Sequence, residues 1–435
     1  MKAKTIQVLW HGKDPVFSVD FHPTTGMLAT GGGDKEIKFW KVGAGEDGAP
    51  TVEHLASLEG HARTVNCVRF SPTGESLASG GDGGEVVVWK PVDKSQPAWI
   101  GEEDAGEHAW KPSTLLRGHS DDVQDLAWAP DSTALLTGSV ENSCIIWDMA
   151  KGKIASRMED HNHFVQGVAW DPAGRYVVSQ SADRTCRVYA PRPSKKIDQN
   201  GPLNARARDM LCEKVMCKRD VEPGAAAEAP AADGEGGGKA AGVMRSFLFN
   251  DENMVSFFRR PAWSPDGSFL IVPAGMHKRT ADSQVTNSAY VYARGVFARP
   301  ALHLPVSSKA AVCARFCPIP FRKSPEAAGE GARFDLPYRL VFAVATIDSV
   351  LVYDTQAPAP IAIISGMHFA AITDLAWAPD GRHLAISSRD GYCTLASFGE
   401  GELGTPVPGE ELPEHFRNML NPENRLLTKE KEGKE

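Results

Sequence analysis

Apolar residues in this chain fall into short runs that recur with a long period. When the chain is aligned on itself, an aromatic residue followed two positions later by proline recurs in one register seven times: Phe21-His22-Pro23, Phe70-Ser71-Pro72, Trp128-Ala129-Pro130, Trp170-Asp171-Pro172, Trp263-Ser264-Pro265, Phe316-Cys317-Pro318 and Trp377-Ala378-Pro379. A β-type run such as VNCVRF or ITDLAW precedes each, and a turn such as PTGE, PDGS or PDGR follows most. A second strand comes next, as in SLASG, YVVSQ or HLAIS. A third ends in an aromatic residue: Trp40, Trp89, Trp147, Tyr189, Tyr292, Tyr353 and Phe398. A fourth, as in LASLEGH and TLLRGH, leads to the next repeat. Four short antiparallel strands at intervals of about 40 to 60 residues predict one propeller blade per repeat.

Gly60-His61, Gly118-His119 and Trp147-Asp148 resemble the signatures of WD repeats, and the resemblance covers nearly the whole chain outside its inserts. It implies an all-β, seven-bladed propeller over residues 1–399, with blades at about 11–58, 59–117, 118–158, 159–250, 256–305, 309–365 and 367–398. In WD repeats a His between blades bonds an Asp in the turn before the third strand, and a Ser or Thr and the Trp complete the chain of contacts. Carried over, this assigns His11, Thr30, Asp34 and Trp40 to the first blade, His61, Ser79 and Trp89 to the second, and His119 and Trp147 to the third. His161, Ser179 and Asp183 with Tyr189 follow in the fourth, and Asp390 in the seventh. A buried charge-assisted bond contributes about 1 to 3 kcal/mol, so these residues are structural first. Three blades depart from the pattern. Gly83 stands at the Asp position of the second, with Asp82 one place early, Glu141 stands there in the third, and the fifth shows neither His nor Asp. Because unpaired strand edges are a hazard, the ring needs closing. No strand remains after Phe398, so the β-like segment Thr5 to Trp10 (residues 5–10) is expected to complete the seventh blade.

Composition adjusts this picture little. At 435 residues, 42% of them apolar, the chain can bury a sizeable core, and it contains no run of about 18 apolar residues that would span a bilayer. The opening MKAKTIQVLWHGKDP lacks a signal-peptide pattern, which predicts a reducing compartment and free thiols. Cys144, Cys186 and Cys393 share one repeat register and Cys67 and Cys313 another, as core residues would. Cys212 with Cys217 and Cys313 with Cys317 lack the partners of a zinc site. The net charge of -8, without a basic block, opposes capture of DNA, sequence-specific or not, and of an anionic membrane; it suits a basic protein partner. The Ala-, Gly- and Pro-rich stretch at 191–242 reads as a disordered insert, 322–336 as a flexible loop and 400–435 as a charged tail with a short helix around HFRNML.

No GxxxxGK[ST], HExxH or GxSxG is present, and no nucleophile, base and anion-stabilising group recur together, so neither catalysis nor a cofactor is expected. The glycines of TGGGDKE are read as turn residues with positive φ. What remains is surface. The loops bearing the histidines and the turns before the third strands share one face, which would present Arg63, Asp121, Asp122, His163, Phe164, Phe369 and Arg389. The acidic insert carries Glu102, Glu103 and Asp104. Arg259 and Arg260 have two open roles: bracing the atypical fifth blade, which is preferred, or forking onto a partner's carboxylate.

Longer stretches narrow the resemblance. SFFRRPAWSPDGSFLIVPAG, LPYRLVFAVATIDSVLVYDTQ, LAISSRDGYCTLASF, HGKDPVFSVDFHP and VRFSPTGESLASGGD together resemble the family of middle, WD-repeat subunits of chromatin assembly factor 1. That resemblance implies a nuclear, non-catalytic scaffold joined to a large and a small subunit, in a complex that deposits new histones H3 and H4 during replication and repair. Some relatives dock the anti-silencing histone chaperone through a C-terminal basic-hydrophobic motif; Asn424-Arg425-Leu426-Leu427-Thr428 lacks its second Arg. Two other readings stand beside this one. A HIR-type, replication-independent chaperone needs a long C-terminal domain, and a receptor of a cullin-type ubiquitin ligase often shows Trp-Asp-x-Arg where this chain has Trp147-Asp148-Met149-Ala150.

Overall fold

The computed structural model describes residues 1–45, 48–92, 108–193, 201–222, 244–324, 334–357 and 359–420. Seven four-stranded antiparallel sheets follow one another along the chain. Their innermost strands, Val16–Phe21, Val65–Phe70, Val123–Trp128, Val165–Trp170, Ala262–Trp263, Ala311–Phe316 and Ile372–Trp377, touch in a closed cycle. The protein is therefore a seven-bladed β-propeller. Inner and second strands are sandwiched between neighbouring blades, and this accounts for their unbroken runs of buried residues, in VNCVRF as in ALLTGS. Outer strands such as Met210–Met216 alternate more and less exposed positions, because only one of their faces meets the core.

Six inner strands carry the same bulge at their second residue, between Val16 and Ser18, Val65 and Cys67, Val123 and Asp125, Val165 and Gly167, Ala311 and Cys313, and Ile372 and Asp374. The bulge bends each strand toward the axis. In the fifth blade the inner strand is cut to two residues. The aromatic of the aromatic-x-Pro motif wedges between blades. Trp128 Nε1 donates to the Arg69 carbonyl of blade two at 2.9 Å, and Trp377 Nε1 to the Arg315 carbonyl of blade six at 3.2 Å.

Several expectations are corrected. The closing strand is Lys2–Ile6, paired from Lys2 opposite Ser397 to Ile6 opposite Cys393, rather than Thr5 to Trp10. Trp10 turns inward instead: it is fully buried, its ring lies 4.6 Å from that of Trp40, and its Nε1 donates to the Ile6 carbonyl. Ala396, not Phe398, occupies the register held by Trp40 in the first blade; Phe398 stacks on Trp377 at 5.5 Å. Gly31, Gly32 and Gly33 do not have positive φ, and it is Lys35 that takes the left-handed conformation, at 74°. Those glycines are needed for space, since a Cβ on Gly32 would lie 2.5 Å from the His11 ring.

The 191–242 stretch also contains order that its composition hid. Helix Leu203–Arg206 docks on blade three, where Leu203 N donates to Asp131 and Asn204 Nδ2 to Asp148. Met210–Met216 is the outer strand of blade four, and Lys218–Val221 pairs with Met244–Phe247 in a separate ribbon. Beyond the last blade, Leu412 and Phe416, the latter on helix Glu414–Leu420, bury against Leu336, Tyr338 and Leu340, and Leu403 is buried in the cluster that holds Phe321, so residues 403–416 do not trail away as a tail. Glu102, Glu103 and Asp104, most of the 322–336 loop and Asn424 to Thr428 lie outside the described residues. Among the described residues no helix is long and apolar enough to cross a membrane.

Candidate protein interface

The side chains that join neighbouring elements form one polar relay, repeated in blades one to four and again in blade seven. In blade three Trp147 Nε1 donates to Thr137 Oγ1 at 2.9 Å, Thr137 meets His119 Nε2 at 2.7 Å, and His119 Nδ1 meets Glu141 at 2.6 Å. The chain satisfies every member if the Thr hydroxyl donates to Nε2 and a neutral His donates from Nδ1. Burial keeps His119 neutral by lowering its pKa. Blade one has the same chain through Trp40, Thr30, His11 and Asp34, and blade four through Ser179, His161 and Asp183, with Tyr189 buried at the tryptophan place.

In blade two, Trp89 and Ser79 join His61 in the same way, but its acid is Glu85 at 3.3 Å, not Asp82. The turn has the same length as in blades one and three, with Gly80 opposite Val86 as Gly31 is opposite Ile37; Gly83 and Gly84 take positive φ, and Glu85, two residues beyond the usual acid position, reaches back to the histidine. Asp82 accepts from Asn66 instead, at 2.7 Å. Blade seven pairs Asp390 with His368 at 3.0 Å, a histidine missed because Met367 separates it from Gly366 and so breaks the Gly-His signature. Its Nε2 meets Thr394 on the third strand, and Thr394 in turn meets Thr5 of the closing strand at 2.9 Å.

The axis of the ring is filled. Ahead of the two-residue inner strand of blade five, Arg259 N donates to the Gln166 carbonyl of blade four, and Arg260 N to the Val312 carbonyl of blade six. The Arg260 guanidinium then reaches across the channel to the carbonyls of Phe17, Asn66 and Thr373, at 3.1, 2.8 and 2.8 Å, and lies 3.3 and 3.2 Å from Asp125 and Asp374. Arg69 and Arg315 converge on Asp374 at 2.7 and 3.2 Å. Burial by itself would raise the Asp374 carboxyl, but Arg260, Arg69 and Arg315 hold it well below the usual carboxylate range. Burial pushes Asp20, at the edge of the same cluster, up to about 6. Both arginines proposed as partner contacts are fully buried, so the structure removes Arg259 and Arg260 from any surface and makes them the plug of the ring.

That plug floors a depression of about 260 Å³ on the face where the inner strands begin. Phe258 covers Arg260, its ring centre 4.0 Å from the guanidinium carbon. Around it lie Phe257 and Val255, 58% and 73% exposed, together with Asp82, Asp122, Ala371 and Arg389. Asp122 accepts from Gly83 N at 2.8 Å. Burial, with Asp82 and Asp121 close by, raises its carboxyl against the pull of Gly83 and of Arg63. Phe369, fully exposed, stands in the loop leading to Ala371; Phe164 is partly exposed and edge-on to His163 at 4.4 Å. The structure thus places Asp122 and Arg389 in the lining of one depression, with Arg63 and Asp121 near Asp122, keeps His163 and Phe164 on the blade-four loop, and adds Val255 and Phe257. The run SFFRR was the available signal for Phe257, an exposed aromatic between two buried neighbours. An apolar centre with charges at its rim is the anatomy of a protein-binding surface. Among the described residues no group of three or more His, Cys, Asp or Glu could hold a metal ion.

The family described as the CAF1B/HIR1 β-propeller domain matches residues 1–215 and 234–403. The Chromatin assembly factor 1 subunit FAS2 homolog of Oryza sativa subsp. japonica is 44% identical over 408 residues, 93% of this chain and 74% of that protein. A relative from Mus musculus, likewise named as a subunit of chromatin assembly factor 1, is 41% identical over 424 residues, 94% of this chain and 68% of its own length. Protein HIR1 of Coccidioides immitis is 29% identical over 427 residues, 93% of this chain but 36% of that protein. The matched segments take in every inner strand, the axial plug and the closing strand, and the chain belongs to the CAF1B/HIR1 β-propeller family.

Proposed function

We propose that this chain is a non-catalytic, nuclear scaffold subunit of chromatin assembly factor 1, a histone chaperone complex that places newly made H3 and H4 on DNA during replication and repair. The observation that carries this reading is identity of 44% and 41%, over more than nine-tenths of the chain, to relatives named as subunits of that factor. The geometry supports a binding role. The histidines and acids of the relays and the charges of the axis are spent on holding blades together, which leaves the faces for partners. The depression bounded by Asp82, Asp122, Val255 and Phe257 offers apolar contact beside negative charge, suited to a segment of a basic protein or of another subunit. The HIR1 reading rests on the shared family and stands behind, because identity there falls to 29%.

Co-expression with the large and small subunits, followed by capture with H3–H4, tests the proposal. Recovery of a stable complex with both histones is expected. Recovery of a cullin adaptor in its place, or a chain that stays alone, would overturn it.

A further inference from the structure

Between the outer strand of blade four, the Lys218–Val221/Met244–Phe247 ribbon and the outer strand of blade five, Leu302–Pro305, lies a groove of about 760 Å³. Five cations line it, Lys214, Lys218, Arg219, Arg245 and Arg299, against one carboxylate, Asp220, in a chain whose net charge is -8. Arg245 takes Asp220 at 3.1 Å, and no ion pair among the described residues involves Lys214, Lys218 or Arg299. Arg219 Nε and His277 Nδ1 are buried without a hydrogen-bond partner in the groove wall. Burial, helped by His303 and Arg219, lowers His277 to about 4, so it stays neutral near pH 7 and the positive charge comes from the Lys and Arg residues. The floor is apolar, with Met216, Leu248 and Leu302, and Val215 and Met244 stand exposed on the wall and rim.

A concentrated positive groove in an acidic molecule attracts a polyanion. Its aromatic rings decide which kind. Arg184 and Lys218 lie over the Phe247 ring at 3.9 and 4.4 Å, His277 and His303 are stacked on each other at 3.6 Å, and Tyr290 is buried. These rings are engaged by cations, by each other or by burial, whereas stacking on exposed rings is a main contribution to binding of single-stranded nucleic acid. Carboxylates spaced along a peptide, with small apolar side chains reaching the floor, fit both features. We propose that this groove binds an acidic, extended peptide segment of a partner protein, with Lys214, Lys218 and Arg299 holding its carboxylates. The proposal does not depend on which complex the chain belongs to.

A fluorescent peptide of alternating Glu and Ala, titrated with the full chain at low ionic strength, tests it by anisotropy. Saturable binding is expected, weakened about tenfold or more by Lys214→Glu with Lys218→Glu, and likewise by Arg299→Glu alone. Lys90→Glu, on blade two, should leave binding unchanged, and melting curves of all variants should match the parent. Three results would overturn the proposal: no binding of the peptide, equal binding by the groove variants, or tighter binding of an oligothymidylate of matched charge through the same residues.

Discussion

Asp374 is the residue on which most charge converges, and its neighbours define what its loss does. Replacing it with Asn takes one buried countercharge from Arg69, Arg260 and Arg315, leaving Asp125 beside the first two. Asp374→Asn is expected to cost about 3 to 5 kcal/mol, read as an earlier midpoint in urea unfolding. Glu141 gives a pH signature. Burial opposes its charge, but bonds from Ser120, Ser143 and His119 outweigh that and lower it from 4.5 to about 2. A carboxyl lowered on folding contributes stability that is complete above about pH 4.5 and lost as the pH falls toward 2. His119, lowered from 6.5, adds a loss of the same sign as the pH drops below that value. Glu141→Gln should therefore be about 2 kcal/mol less stable at pH 7, and its melting temperature should converge on the parent's toward pH 2. At this scale the sequence showed the His positions of blades one to four, with Thr30, Ser79 and Ser179 and the tryptophans of the first three, because their spacing repeats. It hid Glu85 and Thr394, because either a longer side chain or a neighbouring strand can bring the same oxygen to the same nitrogen.

The elements depend on one another through close backbone contacts. Gly167, on the inner strand of blade four, has no room for a side chain, since a Cβ there would sit 2.0 Å from the Arg259 carbonyl oxygen. Gly167→Ala must push the axial plug aside; a cost of about 3 kcal/mol is expected, measurable by thermal or chemical melting. The closing strand is the second such dependence. Removing residues 1–6 exposes the Cys393–Ser397 edge and takes Thr5 from the relay of blade seven. The truncated chain is expected to melt about 10 °C lower or more and to form large species in light scattering. An unchanged melt would show that blade seven closes without it. The strand was visible as β character before the first blade. Its register was not, because Val8 and Trp10 also look like strand residues, and only packing on Trp40 shows that Trp10 has already left the sheet.

For the whole molecule, the consequence of a filled axis is that binding belongs to the faces and sides. Phe257 and Phe369 support no core, so Phe257→Ser with Phe369→Ser is expected to leave the melting temperature within about 2 °C of the parent while weakening capture of partner subunits or histones about tenfold or more. Equal capture would move the interface elsewhere, the basic groove between blades four and five being the next surface to probe. The seven-fold repeat, the order of its strands and the relay histidines of blades one to four were legible from the chain because they depend on local periodicity, which neighbouring residues encode directly; the outer strand of blade four and His368 broke that periodicity and were not. Arg259 and Arg260 were not placed by their sequence, which suits a surface fork as well as a brace. Only the assembled ring, by leaving a gap where the inner strand of blade five is cut to two residues, surrounds Arg260 with carbonyls and carboxylates from distant blades. The basic groove likewise joins residues as distant along the chain as Lys214 and Arg299. The chain specified its blades through contacts between near neighbours, and the closed ring decided which charges were buried and which faced solvent, because that depends on what distant segments bring to the same place.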